Sequence, residues 1–169
     1  YKYILSLAGM LVAITLTGMN PSVAPAVARG FEGTLKKSFW VQMKWNVILL
    51  ISAFIGGAYY FIEGNTILAI SLLIIGAFSP ILNSANTYTA FLNGKKDFKN
   101  MTRYGIASNL VYFLAILITV IITKSPIWLI LAYFLSNTST NLYFYYHTIK
   151  HQKPNEKEDQ KAISYGKHL

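Results

Sequence analysis

Residues that could do chemistry are scarce in this chain, and they sit among apolar neighbours. Arg29 closes a stretch, Tyr3 to Ala28, that holds no Lys, Arg, Asp or Glu. A guanidinium offers a planar fork of donors that matches a phosphate in bidentate fashion. Arg29 is therefore a candidate anion contact, although an arginine snorkelling to a membrane interface would look the same in sequence. The other candidates are amides, Asn20, Asn83, Asn86, Asn137 and Asn141, each inside an uncharged stretch. Asn20 adjoins Pro21, with Pro25 following, and Asn83 and Asn86 follow Pro80. Proline removes a backbone donor and crowds the preceding turn, so Pro21, Pro25 and Pro80 are expected hinges. Two amides beside a broken helix are costly in lipid and easier to keep where they face water. Packing between helices is the competing reading for all of these polar positions.

Other chemistries find no residues to carry them. The chain has no Cys, which excludes disulfides, iron–sulfur clusters and thiolate zinc sites. His147, His151 and His168 lack a ligand spacing, and no metal or cofactor is expected. Paired carboxylates, a nucleophile with a base and a phosphate-cradling glycine loop are all missing from the pattern, so the chain is not expected to be an enzyme.

The elements that must position these residues are five uncharged stretches: Tyr3–Ala28, Trp45–Ile62, Gly64–Gly94, Tyr104–Thr123 and Ser125–Ile149. A soluble helix needs a charged face, and these have none. Crossing a hydrocarbon core takes about 20 helical residues. The chain is 54 % hydrophobic and 12 % charged, against about 25 % charged residues in ordinary soluble domains. The apolar runs do not alternate as barrel strands do, which leaves helices. The expected fold is all-α, a polytopic transmembrane bundle with about five spans near residues 3–28, 45–62, 65–92, 104–123 and 126–147. The bundle would occupy residues 1–151. The charged, proline-broken run 152–162 reads as a linker of solvated charges, and residues 163–169 as the start of a further bundle. The first residue is not Met, and a new segment opens near the last, as expected of a piece of a longer protein.

Small residues mark faces within the spans. Ser6, Gly9, Ala13 and Thr17 precede Asn20 at helical spacing, and Gly76, Ser79, Asn83, Asn86 and Ala90 form a second stripe. Phe31, Leu35, Phe39 and Met43 recur every four residues beside Trp40 and Trp45. That segment fits either a short interfacial elbow helix or an extension of the next span. Tyr143, Tyr145 and Tyr146 fit an interfacial aromatic belt.

The net charge of +9 is not evenly spread. Arg29, Lys36, Lys37 and Lys44 fill the first connection, Lys95, Lys96, Lys99 and Arg103 the third, and Lys150, Lys153, Lys157, Lys161 and Lys167 the tail. The connections between these carry at most Lys124. The positive-inside bias then places the tail in the cytoplasm and the N-terminus outside, in a multi-pass plasma (inner) membrane protein. Anionic headgroups explain the basic excess better than nucleic acid does.

The residues also resemble a family. Tyr3-Ile4-Leu5-Ser6-Leu7-Ala8-Gly9, Gly18-Met19-Asn20-Pro21 and Ala28-Arg29-Gly30-Phe31-Glu32-Gly33-Thr34-Leu35 resemble the second transmembrane helix and following elbow of Wzx-type polysaccharide flippases. Asn86 to Gly94-Lys95-Lys96-Asp97-Phe98 is similar to the end of their fourth helix. Ile163-Ser164-Tyr165-Gly166-Lys167-His168-Leu169 is similar to the start of their seventh. The resemblance implies the multidrug/oligosaccharidyl-lipid/polysaccharide exporter superfamily, with two bundles around a central cavity and alternating access. It implies a lipid-linked oligosaccharide as substrate, for O-antigen, capsule or another surface polysaccharide, and a polymerase or glycosyltransferase as partner. On it, Arg29 would meet pyrophosphate and the asparagines would line a path for sugar hydroxyls. The competing functions are a cation-coupled multidrug exporter of the same fold and a non-transporting membrane scaffold. The exporter would need a membrane carboxylate, which these stretches lack.

Overall fold

The computed structural model describes residues 19–123 and 125–168, all organised around helices. The first expected span is therefore seen only from Met19. Ser6, Gly9, Ala13 and Thr17 of its stripe, together with Lys2, Lys124 and Leu169, lie outside the described residues. The helices are α1 (Met19–Ala28), α2 (Thr34–Trp45), α3 (Val47–Ile62), α4 (Thr66–Ala85), α5 (Thr87–Gly94), α6 (Phe98–Ile122), α7 (Pro126–Gln152) and α8 (Gln160–His168).

Two pairs of these helices run on as single rods. At Asn46 the amide N–H still donates to the Gln42 carbonyl (2.8 Å), and Leu50 N–H donates to the Asn46 carbonyl (3.2 Å). The rod Thr34–Ile62 is therefore 29 residues long, as is Thr66–Gly94, and α6 adds 25. At 1.5 Å per residue each exceeds a hydrocarbon core of about 30 Å. These three are long and apolar enough to cross a membrane. Helix α7 has 27 residues but carries the polar run Ser136–Asn141, and it is less apolar than those three. The segment around Phe39 is thus the extension of a span, not a separate elbow. Leu35, Ser38 and Gln42 on it are buried while Trp40 and Trp45 remain exposed.

Local chemistry sets the helix ends. Asn65 Oδ1 accepts from Leu68 N–H (3.2 Å) at the start of α4, after a turn in which Gly64 adopts φ 78°. Asp97 Oδ1 accepts from Asn100 N–H (3.2 Å) at the start of α6. Pro126 occupies the first turn of α7, where its missing N–H leaves nothing unpaired. Inside α4, Pro80 leaves the Gly76 carbonyl without its usual donor, yet the helix continues to Ala85. Helix α1 likewise continues through Pro21 and Pro25.

Packing uses glycine where backbones must approach. A Cβ on Gly76 would lie 2.5 Å from the Ala53 Cβ, and one on Gly57 would lie 3.2 Å from Leu73 Cγ, so α3 and α4 meet closely and antiparallel. A Cβ on Gly94 would lie 2.5 Å from the Ala24 carbonyl oxygen, pressing α5 against α1. The main core joins Val23 and Val27 of α1, Leu35 of α2, Phe91 and Leu92 of α5, and Phe144 and Tyr145 of α7. Tyr145 stacks on Phe39 with ring centroids 4.7 Å apart. It is therefore a core residue, whereas Tyr143 and Tyr146 are exposed as a belt would require. Helix α6 buries none of its residues and shows Ile106, Leu110, Phe113, Leu117 and Ile121 outward. Exposed apolar surface on that scale suits lipid and not water.

Two glycines separate packing from helix propensity. Gly94→Ala drives a methyl into a backbone carbonyl and should destabilise by about 1–3 kcal/mol, the usual cost of overpacking. Gly105→Ala in α6 meets nothing within 4 Å and should be neutral or stabilising by up to about 1 kcal/mol. Thermal unfolding midpoints in detergent, compared with the parent, check both signs.

Candidate functional site

The topology brings Arg29, Lys95, Lys96 and the basic segment after α7 to one end of the molecule, whereas Lys44 lies further along the rod in the last turn of α2. At that end the turn after α1 (residues 29–33) bonds both to the turn before α6 (residues 95–97) and to the segment after α7 (residues 153–159). The 152–162 run is docked as a strap through its backbone, Asn155 and Asp159, while the charges of Lys153, Glu156, Lys157, Glu158 and Lys161 stay exposed as the sequence suggests. It leaves α7 through Lys153, whose φ of 42° is left-handed and turns the chain back across the bundle.

The strap reproduces a backbone partner for the α1–α2 turn. Gly33 N–H donates to the Lys157 carbonyl (2.9 Å). Asn155 Nδ2 donates to the Gly30 carbonyl (2.9 Å), while Asn155 Oδ1 accepts from Glu32 N–H (3.2 Å). Glu32 Oε2 accepts from Asn155 N–H (3.1 Å), and Glu32 Oε1 pairs with Lys95 Nζ. The fit demands glycine at position 33, where a Cβ would lie 2.8 Å from the Glu156 carbonyl carbon. Burial pushes the Glu32 carboxyl up, but the hydrogen bonds from Lys95 and Asn155 outweigh it and hold Glu32 below the ordinary glutamate range.

Arg29 and Asp159 form the other half of the contact. Arg29 Nη2 donates to Asp159 Oδ2 at 2.6 Å. Asp159 N–H donates to Thr34 Oγ1 (3.0 Å), and its Oδ1 accepts from Ala162 N–H (3.1 Å), capping α8. The pair is lopsided, since the arginine side chain is 60 % exposed and the aspartate side chain 10 %. Arg29 also lines a groove of about 230 Å³ between α1 and α8, together with Pro21, Ser22, Pro25, Lys161, Ala162 and Tyr165. Three residues singled out in the sequence, Pro21, Pro25 and Arg29, are thus brought together. Lys161 and Asp159 join them without having been anticipated.

The asparagines are distributed differently. Asn20 is half-buried on α1, and its Oδ1 has no hydrogen-bond partner among the described residues. Asn86 joins α4 to α5, and its carbonyl accepts from Thr89 Oγ1 (2.7 Å). Asn137 Nδ2 donates to the Tyr133 carbonyl (3.1 Å) and Asn141 Nδ2 to the Asn137 carbonyl (2.8 Å), so both spend a donor on their own helix. Asn83 is half-buried with Nδ2 unpartnered among the described residues. None of these asparagines lines the Arg29 groove, although Pro21, next to Asn20, does.

A polar stripe absent from the sequence candidates faces the interior. Ser38, Gln42 and Asn46 are buried one turn apart, and Ser38 Oγ, Gln42 Oε1 and Asn46 Oδ1 lack partners among the described residues. The antiparallel register set by Gly76 on Ala53 and Gly57 on Leu73 carries Asn46 to the level of Asn83. Thr138 on α7 is buried with an unpartnered hydroxyl as well. The four-residue spacing of Ser38, Gln42 and Asn46 was the available signal.

No protein-family model matches the chain, and neither does any curated protein or solved structure.

Acid should loosen the Glu32 contact. A carboxyl held low in the folded state contributes stability that is present above its unfolded pKa and is lost as pH falls through the folded value. Glu32→Gln should therefore lower the melting temperature at neutral pH. The gap to the parent should close as pH drops below the ordinary glutamate range, which a pH series of thermal melts checks.

Proposed function

We propose that this chain belongs to a Wzx-type flippase that moves polyprenyl-pyrophosphate-linked oligosaccharide across the plasma membrane by alternating access. In this reading the described helices form part of a first bundle with about five spans. The strap and α8 lead into a second bundle, and the basic end faces the cytoplasm. The observation that carries the proposal is the Arg29 groove. A largely exposed guanidinium stands there beside Lys161, at the end of a proline-bearing helix and in the basic half of the molecule. A phosphate would gain bidentate hydrogen bonds from Arg29 and the charge of Lys161. Clustering of Arg29, Lys95, Lys96 and the basic segment after α7 at one end supports the cytoplasmic assignment through the positive-inside bias.

The interior supports a polar path less uniformly. Asn46, Asn83 and Thr138 keep unpartnered polar atoms, which would suit hydroxyl-rich ligands or water. Pro80 would let α4 flex there. Self-bonding of Asn137 and Asn141 to their own helix favours the second reading, a non-transporting scaffold, at that level of the bundle.

Two measurements separate the readings. In the complete protein, Arg29→Ala and Arg29→Gln at normal expression should reduce surface glycan delivery about tenfold or more. That is the scale of a charge-assisted hydrogen bond worth about 1.5–3 kcal/mol. Unchanged delivery in both removes the role proposed for Arg29. Cys is absent from the chain, so Asn83→Cys, in a complete protein whose other segments are made cysteine-free, reports on a membrane-impermeant thiol reagent. Labelling from water supports transport, and full protection supports a scaffold.

A further inference from the structure

The Arg29–Asp159 pair occupies the arginine that the groove would use, and its two sides are unequally exposed. Arg29 can swing toward solvent on its long stem. Asp159 cannot, because both its carboxylate oxygens and its N–H are engaged, with Arg29, Ala162 and Thr34. Removing one partner of a buried ion pair leaves the other charge uncompensated. Loss of Arg29 to another anion would therefore penalise the strap and not the arginine. The groove already favours such an exchange. Lys161 lines it and has no acidic partner within ion-pair distance among the described residues. A phosphate, carrying more charge than a carboxylate, would interact with both cations at once.

We propose that Asp159 is a displaceable plug on Arg29: a phosphate group entering the groove between α1 and α8 takes the guanidinium and loosens the 153–159 strap on the Gly30–Thr34 turn. The inference rests on the reading of Arg29 as a phosphate contact and adds to it a mechanical consequence. The strap joins α7 to α8, and α8 packs against α1 through Gly166, where a Cβ would lie 2.5 Å from Ser22 Oγ. Anion arrival at the groove is thereby coupled to the position of α8. The bonds of Asn155 to Glu32 and Gly30, of Gly33 to Lys157 and of Asp159 N–H to Thr34 Oγ1 are then the remaining hold on the strap. They lie on the turn itself and not in the groove, so they return the strap once the anion leaves.

Lys37 Nζ and Glu158 Oε2 lie 3.7 Å apart on the exposed side of the same contact, which makes them a reporter that leaves the plug intact. In the full-length protein carrying Lys37→Cys and Glu158→Cys, capture by a short bis-thiol-reactive cross-linker, long enough to replace the two lost side-chain stems, measures strap docking. One arm adds inorganic pyrophosphate to nanodiscs of phosphatidylcholine. The other replaces part of that lipid with phosphatidylglycerol and adds no pyrophosphate. Slower cross-linking in the first arm identifies a free phosphate as sufficient, and in the second a lipid headgroup. The expected slowing is about two- to fivefold, the range for loss of an ion pair open to water on one side. Asp159→Asn should tighten pyrophosphate binding by a similar factor, since the competitor is gone. Arg29→Ala should abolish binding, and Arg29→Lys should retain part of it, which shows that the loss is not a failure to fold. Cross-linking that is unchanged in both arms, or weaker pyrophosphate binding in Asp159→Asn, overturns the proposal. Glycan delivery separates this from the transport reading. A responsive strap with Arg29-independent delivery removes the flippase reading alone, whereas Arg29-dependent delivery with an unresponsive strap removes the plug alone.

Discussion

The contact between the Gly30–Thr34 turn and the 153–159 strap is the constraint on which the basic end of this molecule depends. Helix ends leave backbone donors and acceptors without partners, and at this end the ends of α1 and α7 and the starts of α2, α6 and α8 converge. Asp159 serves two of the starts, accepting from Ala162 N–H in α8 and donating to Thr34 Oγ1 in α2. Asp97 serves another and reaches α7 as well, through Gln152 Nε2 at 3.0 Å. Acidic residues are few in this chain, 6 against 15 basic ones. Glu32, Asp97, Glu158 and Asp159 are all spent here. A strongly cationic end can then close on itself because its few carboxylates sit at the junctions between segments.

The long apolar rods, built to suit lipid, are held by a different principle. Lipid offers no hydrophobic gain for bringing helices together, so close van der Waals approach and internal hydrogen bonds must do it. Gly57 and Gly76 supply the approach between α3 and α4. Hydroxyls that return to their own helix, such as Ser84 to the Pro80 carbonyl (2.7 Å) and Thr87 to the Ser84 carbonyl (2.7 Å), satisfy polar side chains without needing a neighbour. The stripe of Ser38, Gln42 and Asn46 does not follow that rule. Its oxygens find no partner among the described residues although its backbone is helical and its side chains are buried. A buried polar group left without any partner costs about 1–3 kcal/mol, so a stripe of three such side chains is a place in the interior where water, a ligand or another polar group would fit.

What the sequence made legible follows from which physics is local. Helical character and the long spans are properties of composition over about 20 residues, and the helices 66–94 and 98–122 lie close to where the uncharged stretches put them. The charge-bearing start of α6, from Phe98 to Arg103, was not expected inside a helix, because charge density argues for a loop until the Asp97 cap is seen to start one. The Phe31–Trp45 segment was left between two readings since its period of four serves an interfacial helix and a span extension equally. Unbroken helical hydrogen bonding through Asn46 decides it for the extension. Tyr145 was grouped with Tyr143 and Tyr146 because side chains two and one residues away share its chemistry. Only tertiary packing on Phe39 distinguishes it.

The site shows the same division more sharply. Arg29 was visible as an isolated cation at the end of an apolar run, but its partner lies 130 residues away in sequence, inside a segment whose charges looked solvated. No periodicity connects the two, and Asn155 reads as a structure breaker until it is seen bridging Gly30 and Glu32. The asparagines were grouped by residue type, and the structure sorts them instead by where their amides are spent. Asn137 and Asn141 bond inward to their own helix, while Asn83 shares its level with Asn46, a residue that seemed to be only the edge of a span. Polar groups in a membrane protein are therefore informative in proportion to what they leave unpaired. By that measure the interior layer at Asn46 and Asn83 and the half-free guanidinium of Arg29 are separate features. One lies within the apolar length of the rods and the other at their basic end, so burial without a partner defines the first and unequal exposure of an ion pair the second.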